Sequence, residues 1–187
     1  QTITVLAGNT CGPYTLTLVT TLNGCSSNCN QTFNATDNAP PTWTTVAGAL
    51  NTTLQCSDAA GLTAAQALAP VATDNCGTVT YTKTSGSFVA GSCPNSGTYT
   101  NTWIAKDACN NTSSVFTQVI TIADNTAPVW TTAANALNVT LNCSDATGLT
   151  TAQAQSPIAT DNCSTVTYTK TSGSFVAGSC PNSGTYT

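Results

Sequence analysis

The sequence predicts an all-β protein made of tandem β-sandwich domains stapled by disulfides. Three observations carry that expectation: an internal repeat of 87 residues, a composition rich in strand and turn formers, and ten cysteines. Trp43, Cys56, Asp74, Cys76 and Cys93 recur at Trp130, Cys143, Asp161, Cys163 and Cys180, each 87 residues on. Residues 42–100 align with 129–187 without a gap, and 48 of the 59 positions are identical. Self-similarity at a fixed period is the mark of a repeat architecture. The organisation expected is therefore a divergent half-unit over 1–36, a complete unit over 37–123, and the front part of a second copy over 124–187.

Within the complete unit the strand signals are short and evenly spaced, as a sandwich requires. Residues 49–55 read as a first strand, ended by a turn at Ser57-Asp58. Residues 62–68 are the one helix-like stretch, stopped by Pro70. Residues 78–84 alternate and break at Ser85-Gly86. The two strongest strands are 98–105 and 115–122. In the first, Tyr99, Asn101 and Trp103 share a face; in the second, Phe116, Gln118, Ile120 and Ile122 do. These aromatics are expected in the core. The first 36 residues read as the back half of a preceding unit, because residues 5–15 around Cys11 and Tyr14 resemble residues 89–100 around Cys93 and Tyr99.

Composition narrows the chemistry. There are seven Asp and three Lys, and no Glu, Arg, His or Met. General acid–base and nucleophilic catalysis draw mostly on His, perturbed Glu or Lys, or an activated Cys, so no enzyme is expected. A formal charge of −4 argues against nucleic acid, which calls for clustered Lys and Arg. No run approaches the roughly 20 apolar residues of a membrane span. Forty threonines, with Val and Tyr, favour strands, while Asn, Gly, Pro and Asp favour turns. Low charge with high β-propensity invites edge-to-edge association, which suits a protein that assembles with itself or with neighbouring repeats.

The residues also carry a resemblance. Residues 72–77 (Ala-Thr-Asp-Asn-Cys-Gly), 97–103 (Gly-Thr-Tyr-Thr-Asn-Thr-Trp), 106–113 around Asp107 and Cys109, and the closing Asp124-Asn125-Thr126-Ala127-Pro128 resemble a hyalin-type (HYR-like) repeat. Such repeats are immunoglobulin-like modules found in tandem in large surface proteins, including bacterial adhesins of the Bacteroidetes. The leading segment, with Asn23-Gly24-Cys25 and Cys29, is similar to repeats of gliding-motility and cell-surface adhesins of the same bacteria. The resemblance implies immunoglobulin-like sandwiches at an extracellular or cell-surface location, and a fibre or adhesin stalk as the role. Glycan binding, with or without calcium, is the alternative, with Trp43 and Trp130 as the aromatic candidates. A weaker one is an accessory module of a secreted hydrolase.

Ten cysteines point to an oxidising compartment, and the absence of any Cys-x-x-Cys pair removes the zinc reading. The start at Gln1, with neither Met nor signal peptide, is expected of a processed or internal segment. Four cysteines per unit allow three pairings. The expectation is Cys56–Cys76 and Cys93–Cys109, each closing a local loop worth about 3 kcal/mol. By repetition Cys143–Cys163 and Cys11–Cys25 follow. Cys29 and Cys180 are left over, either unpaired or bonded to a neighbouring chain. Head-to-tail completion of one domain by two chains would give a filament, but residues 5–14 and 89–99 would compete for one position. Eight Asn-x-Ser/Thr sequons occur, and they matter only in a eukaryotic secretory route.

Asp37-Asn38-Ala39-Pro40 and Asp124-Asn125-Thr126-Ala127-Pro128 sit at the unit boundaries and resemble the calcium-holding linker of cadherins. That likeness implies a calcium site drawing on Asp37, Asn38, Asp124, Asn125 and Asp107, joined by Asp74 if the fold brings it near. No other cofactor is expected. The competing reading is that Asp and Asn start turns and Pro stiffens the link.

Overall fold

Residues 97–106 and 116–123 alternate between apolar or amide side chains and threonines, the pattern of strands with one face buried. In the computed structural model, which describes residues 12–93, 95–180 and 182–187, they form the two central strands of the largest sheet. Of the described residues, 37% are in strands and 10% in helices. It divides into two compact units, Gln1–Ala123 and Asp124–Thr187.

The first unit contains β1 (Gly12–Leu22), β2 (Cys25–Ala35), β3 (Thr42–Trp43), β4 (Thr52–Gln55), α1 (Ala59–Ala67), β5 (Ala72–Thr73), β6 (Thr80–Thr84), β7 (Val89–Ala90), β8 (Gly97–Lys106) and β9 (Phe116–Ala123). β1 and β2 make an antiparallel ribbon in which Leu22 faces Cys25. Its turn is Asn23-Gly24, both residues in the left-handed region at φ 51° and 81°, as a two-residue primed turn demands. The main sheet has the order β4-β9-β8-β6, with β7 also pairing β8. All its pairs are antiparallel except β4–β9, which is parallel.

The buried face of this sheet carries Asn101, Trp103 and Ala105 from β8 and Phe116, Gln118, Ile120 and Ile122 from β9. Both alternations agree with the sequence reading. The facing layer is less regular than a second full sheet. Toward the Gly97 end it is α1, whose Ala65 packs on Ile120 and Ile122, with Leu54, Leu62 and Tyr99 around them. Toward the Lys106 end it is the two-residue β3–β5 ladder. Trp43 there lies 5.3 Å from the Phe116 ring and 6.1 Å from that of Tyr81, and its indole N–H donates to the Ser114 carbonyl at 2.8 Å. Trp43 is thus a packing residue of its own unit. The expected turn at Ser57-Asp58 closes β4, Asp58 N donating to the Gln55 carbonyl at 2.9 Å. Asp58 also starts α1: its Oδ1 accepts from Gly61 N at 2.8 Å, an N-cap.

Two fully buried amides tie the layers together. Asn101 Nδ2 donates to Gln66 Oε1 (2.8 Å) and Gln118 Oε1 (3.0 Å). Gln118 Nε2 donates to the carbonyls of Leu50 (2.9 Å) and Ala65 (3.0 Å). The amide pair thereby bonds the sheet to the last turn of α1 and to the segment leading into β4, while across the neighbouring β6–β8 pair Lys83 lies 5.1 Å over the Trp103 ring.

The second unit contains β10 (Val129–Trp130), α2 (Ala146–Ala154), β11 (Ala159–Thr160), β12 (Val176–Ala177) and β13 (Gly184–Thr185). It reproduces the local devices of the first. Asp145 caps α2 through Gly148 N at 2.7 Å. Tyr168 brackets Ala159, accepting from its N–H and donating to its carbonyl, as Tyr81 brackets Ala72.

The disulfide expectation is corrected. Cys25, Cys76, Cys93 and Cys143 are free thiols, whereas Cys56, Cys109 and Cys163 are disulfide-bonded. None of the local pairs Cys56–Cys76, Cys93–Cys109, Cys143–Cys163 and Cys11–Cys25 can therefore form; Cys11 itself lies outside the described residues. The register gives the reason. Gln55 pairs with Ala123 and Ala90 with Gly97, so Cys56 and Cys93 sit at the Gly97 end of the sheet. Thr80 pairs with Lys106, so Cys76 and Cys109 sit at the other end. Ten residues of strand separate the ends by about 30 Å, against an upper limit near 7 Å between the Cα atoms of a disulfide. Cys143 and Cys163 hold the same repeat positions as Cys56 and Cys76. Cys29 and Cys180 are also free.

Two outcomes follow. Gln118→Leu, close in volume, leaves the Leu50 carbonyl and one Asn101 donor without a partner and takes one of two hydrogen bonds from the Ala65 carbonyl, which keeps Leu68 N. It should cost at least the 1–3 kcal/mol of a single orphaned buried polar group, read from the urea midpoint. Maleimide labelling of the unreduced native chain, mapped by mass spectrometry, should modify the exposed Cys25, Cys29, Cys93, Cys143 and Cys180. The half-buried Cys76 should react more slowly, and Cys56, Cys109 and Cys163 only after reduction.

Candidate metal centre

Three aspartates far apart in sequence meet at the Lys106 end of the sheet. Asp37 follows β2, Asp74 follows β5 and Asp107 follows β8. Each offers a carboxylate oxygen within 4.8 Å of the other two. Asp107 is the most enclosed, at 5% exposure.

Local turns fix each carboxylate. Asp37 Oδ1 accepts from Ala39 N at 3.0 Å, and Asp74 Oδ1 accepts from Cys76 N at 2.9 Å; in both, an Asp accepts from the backbone two residues on. Asp107 is held by a tight loop to Asn111. The Asn111 backbone N–H donates to Oδ1 at 2.8 Å and its Nδ2 to Oδ2 at 2.7 Å. The same Nδ2 donates to the Asp37 carbonyl at 2.9 Å, fastening the chain before Pro40 to the end of the sheet. The loop turns through Asn110 at φ 72°, a conformation Asn tolerates better than most residues.

The cluster is short of donors. Asp37 Oδ2 and Asp74 Oδ2 are buried and have no hydrogen-bond partner among the described residues. Two unit charges 4 Å apart repel by about 4 kcal/mol at an effective dielectric near 20. A buried carboxylate oxygen without a donor adds a desolvation cost of its own. The donor set is all oxygen, which suits a hard cation rather than zinc or copper.

Of the residues the sequence singled out, Asp37 and Asp107 come together, and Asp74 joins them. Asn38 is exposed. Asp124 and Asn125 belong to the second unit, where part of the arrangement recurs. Thr126 N donates to Asp124 Oδ1 at 3.1 Å. Asp161 Oδ1 accepts from Cys163 N and Ser164 N, both at 2.9 Å. Asp161 Oδ2 is again buried without a partner. One difference is chemical: Ser164 stands where the first unit has Gly77, and its hydroxyl lies 3.1 Å from Asp161 Oδ1 and 3.5 Å from Asp124 Oδ2. The repeat position of Asp107 falls beyond residue 187. Sequence reasoning missed Asn111 and Ser164, whose roles depend on distant partners.

Comparison with protein-family models, with curated proteins and with solved structures gives no match for this chain.

The backbone N–H groups of Cys163 and Ser164, in that order, hold the Asp161 carboxyl below its ordinary value against the opposing effect of burial. A depressed folded-state value means the carboxylate contributes stability above the ordinary Asp range, near 4, and loses it as pH falls through the lower folded value. Asp161→Ala should therefore unfold at lower urea than the unaltered chain at pH 7, with the gap closing as the pH is taken below about 4.

Proposed function

We propose that this chain is a structural repeat region, without catalysis, of a secreted fibre or cell-surface adhesin stalk built of immunoglobulin-like sandwiches of the hyalin-repeat type. The observation that carries this reading is that both copies use the same hydrogen-bonded devices at positions 87 residues apart. Asp58 and Asp145 cap a nine-residue helix, Tyr81 and Tyr168 bracket an alanine, and Trp43 and Trp130 contact those tyrosines at 6.1 and 5.9 Å. Near-identical copies of one small unit multiply length and valency rather than building a reaction centre.

The composition supports the same reading. The strands are rich in threonine and almost free of charge, so the surface faces water with little reliance on ion pairs. Partners are other repeats or other copies of the chain. The glycan alternative draws less support, because Trp43, its candidate in the complete copy, is packed against Phe116 and bonded to Ser114.

Electron microscopy of the native material tests the reading. Rods or filaments with density modulated at a constant axial period are expected. Isolated globular particles without a period would rule the stalk out.

A further inference from the structure

We propose that Asp37, Asp74 and Asp107 bind a calcium ion at the Lys106 end of the complete repeat. The proposal does not depend on the stalk reading. Three carboxylates converge from three separate stretches of chain, with one oxygen each inside a 4.8 Å span. A calcium shell with bonds of 2.3–2.6 Å is about 4.6–5.2 Å across. Three oxygens no more than 4.8 Å apart lie within about 2.8 Å of a common centre, so a shift of a few tenths of an ångström lets one ion touch all three.

The second observation is independent of the clustering. Asp37 Oδ2 and Asp74 Oδ2 are withdrawn from solvent and accept no hydrogen bond. Buried polar atoms without a partner are rare and call for an explanation, an ion among them. Two in one cluster, each on an aspartate whose other oxygen is satisfied by its own turn, are what ligands look like before the ion is added. The orphaned oxygen recurs on Asp161 Oδ2 in the second copy, so it belongs to the repeat and not to one loop.

Asn111 gives the ion a mechanical consequence. It holds both Asp107 oxygens and the Asp37 carbonyl, so the ligands are already assembled. In the second unit the Ser164 hydroxyl reaches toward the corresponding pair, and the third carboxylate is lacking among residues 124–187. The 187-residue chain should then hold one ion, in the first unit.

The test is calorimetric titration of the full chain with calcium chloride after treatment with EDTA, with thermal unfolding in parallel. Saturable binding of one ion per chain is expected. The transition should rise by on the order of 10 °C at a calcium concentration a hundredfold above Kd. Asp74→Asn and Asp37→Asn keep the oxygen that accepts from Cys76 N or Ala39 N and replace the orphaned one. Both should fold, melt no lower than the unaltered chain in EDTA, and lose calcium binding. Absence of binding by the unaltered chain would overturn the proposal. So would undiminished binding by both variants, or an equal shift with magnesium chloride at the same concentration.

Discussion

The first unit rests on the pairing of β8 with β9. Seven residue pairs, from Gly97–Ile122 to Trp103–Phe116, put every large buried side chain of the sheet on one face. The pair also sets Asn101 opposite Gln118, two pairs from its Trp103 end, where both amides are fully buried. An apolar pair there would pack without preference for register. The amides instead require Gln66, Leu50 and Ala65 at fixed places, so one arrangement of the helix and of the chain before β4 satisfies all their donors, while Asn101 Oδ1 stays buried without a partner among the described residues. Buried polar networks of this kind specify a core when every member is bonded and are costly when one is not. The apolar cluster of Ala65, Ile120 and Ile122 supplies burial, and the amides supply uniqueness.

The same pairing decides what gathers at each end. Asp107 is the first residue after β8, and Asp74 lies between the β5 ladder and β6, whose first residue pairs with Lys106. With the Asp37 carbonyl held by Asn111, three of the chain's seven acids meet at one pole, and a single amide side chain ties the stretch after β2 to the end of β8.

Much of this was legible in the sequence. The alternation of residues 98–105 and 115–122 gave both central strands and their buried faces, because a period of two is a local signal. The helix was legible too, although its start was misplaced: Asp58 reads equally as a turn and as a cap. The β1–β2 ribbon had its signal in Asn23-Gly24, flanked by strand-forming residues, and the half-unit reading of residues 1–36 passed over it. The disulfides were not legible. Loop length favours Cys56 with Cys76, but the choice depends on which end of the sheet each reaches, and that follows from the parallel pairing of β4 with β9. The aspartates met the same limit, since Asp37, Asp74 and Asp107 are separated by more than thirty residues at each step.

That parallel pairing has a further consequence. Thr52–Gln55 runs in the same direction as Ile120–Ala123, and these are an early and the last strand of the repeat. Tension drawing the start of the repeat one way and its end the other pulls the two strands past each other along their length. The ladder is then loaded in shear, and its bonds share the force and fail together. An antiparallel pair held at one end would unzip bond by bond. The order in which the chain lays down its strands thus gives the repeat a geometry that resists stretching, independent of how stable it is at rest.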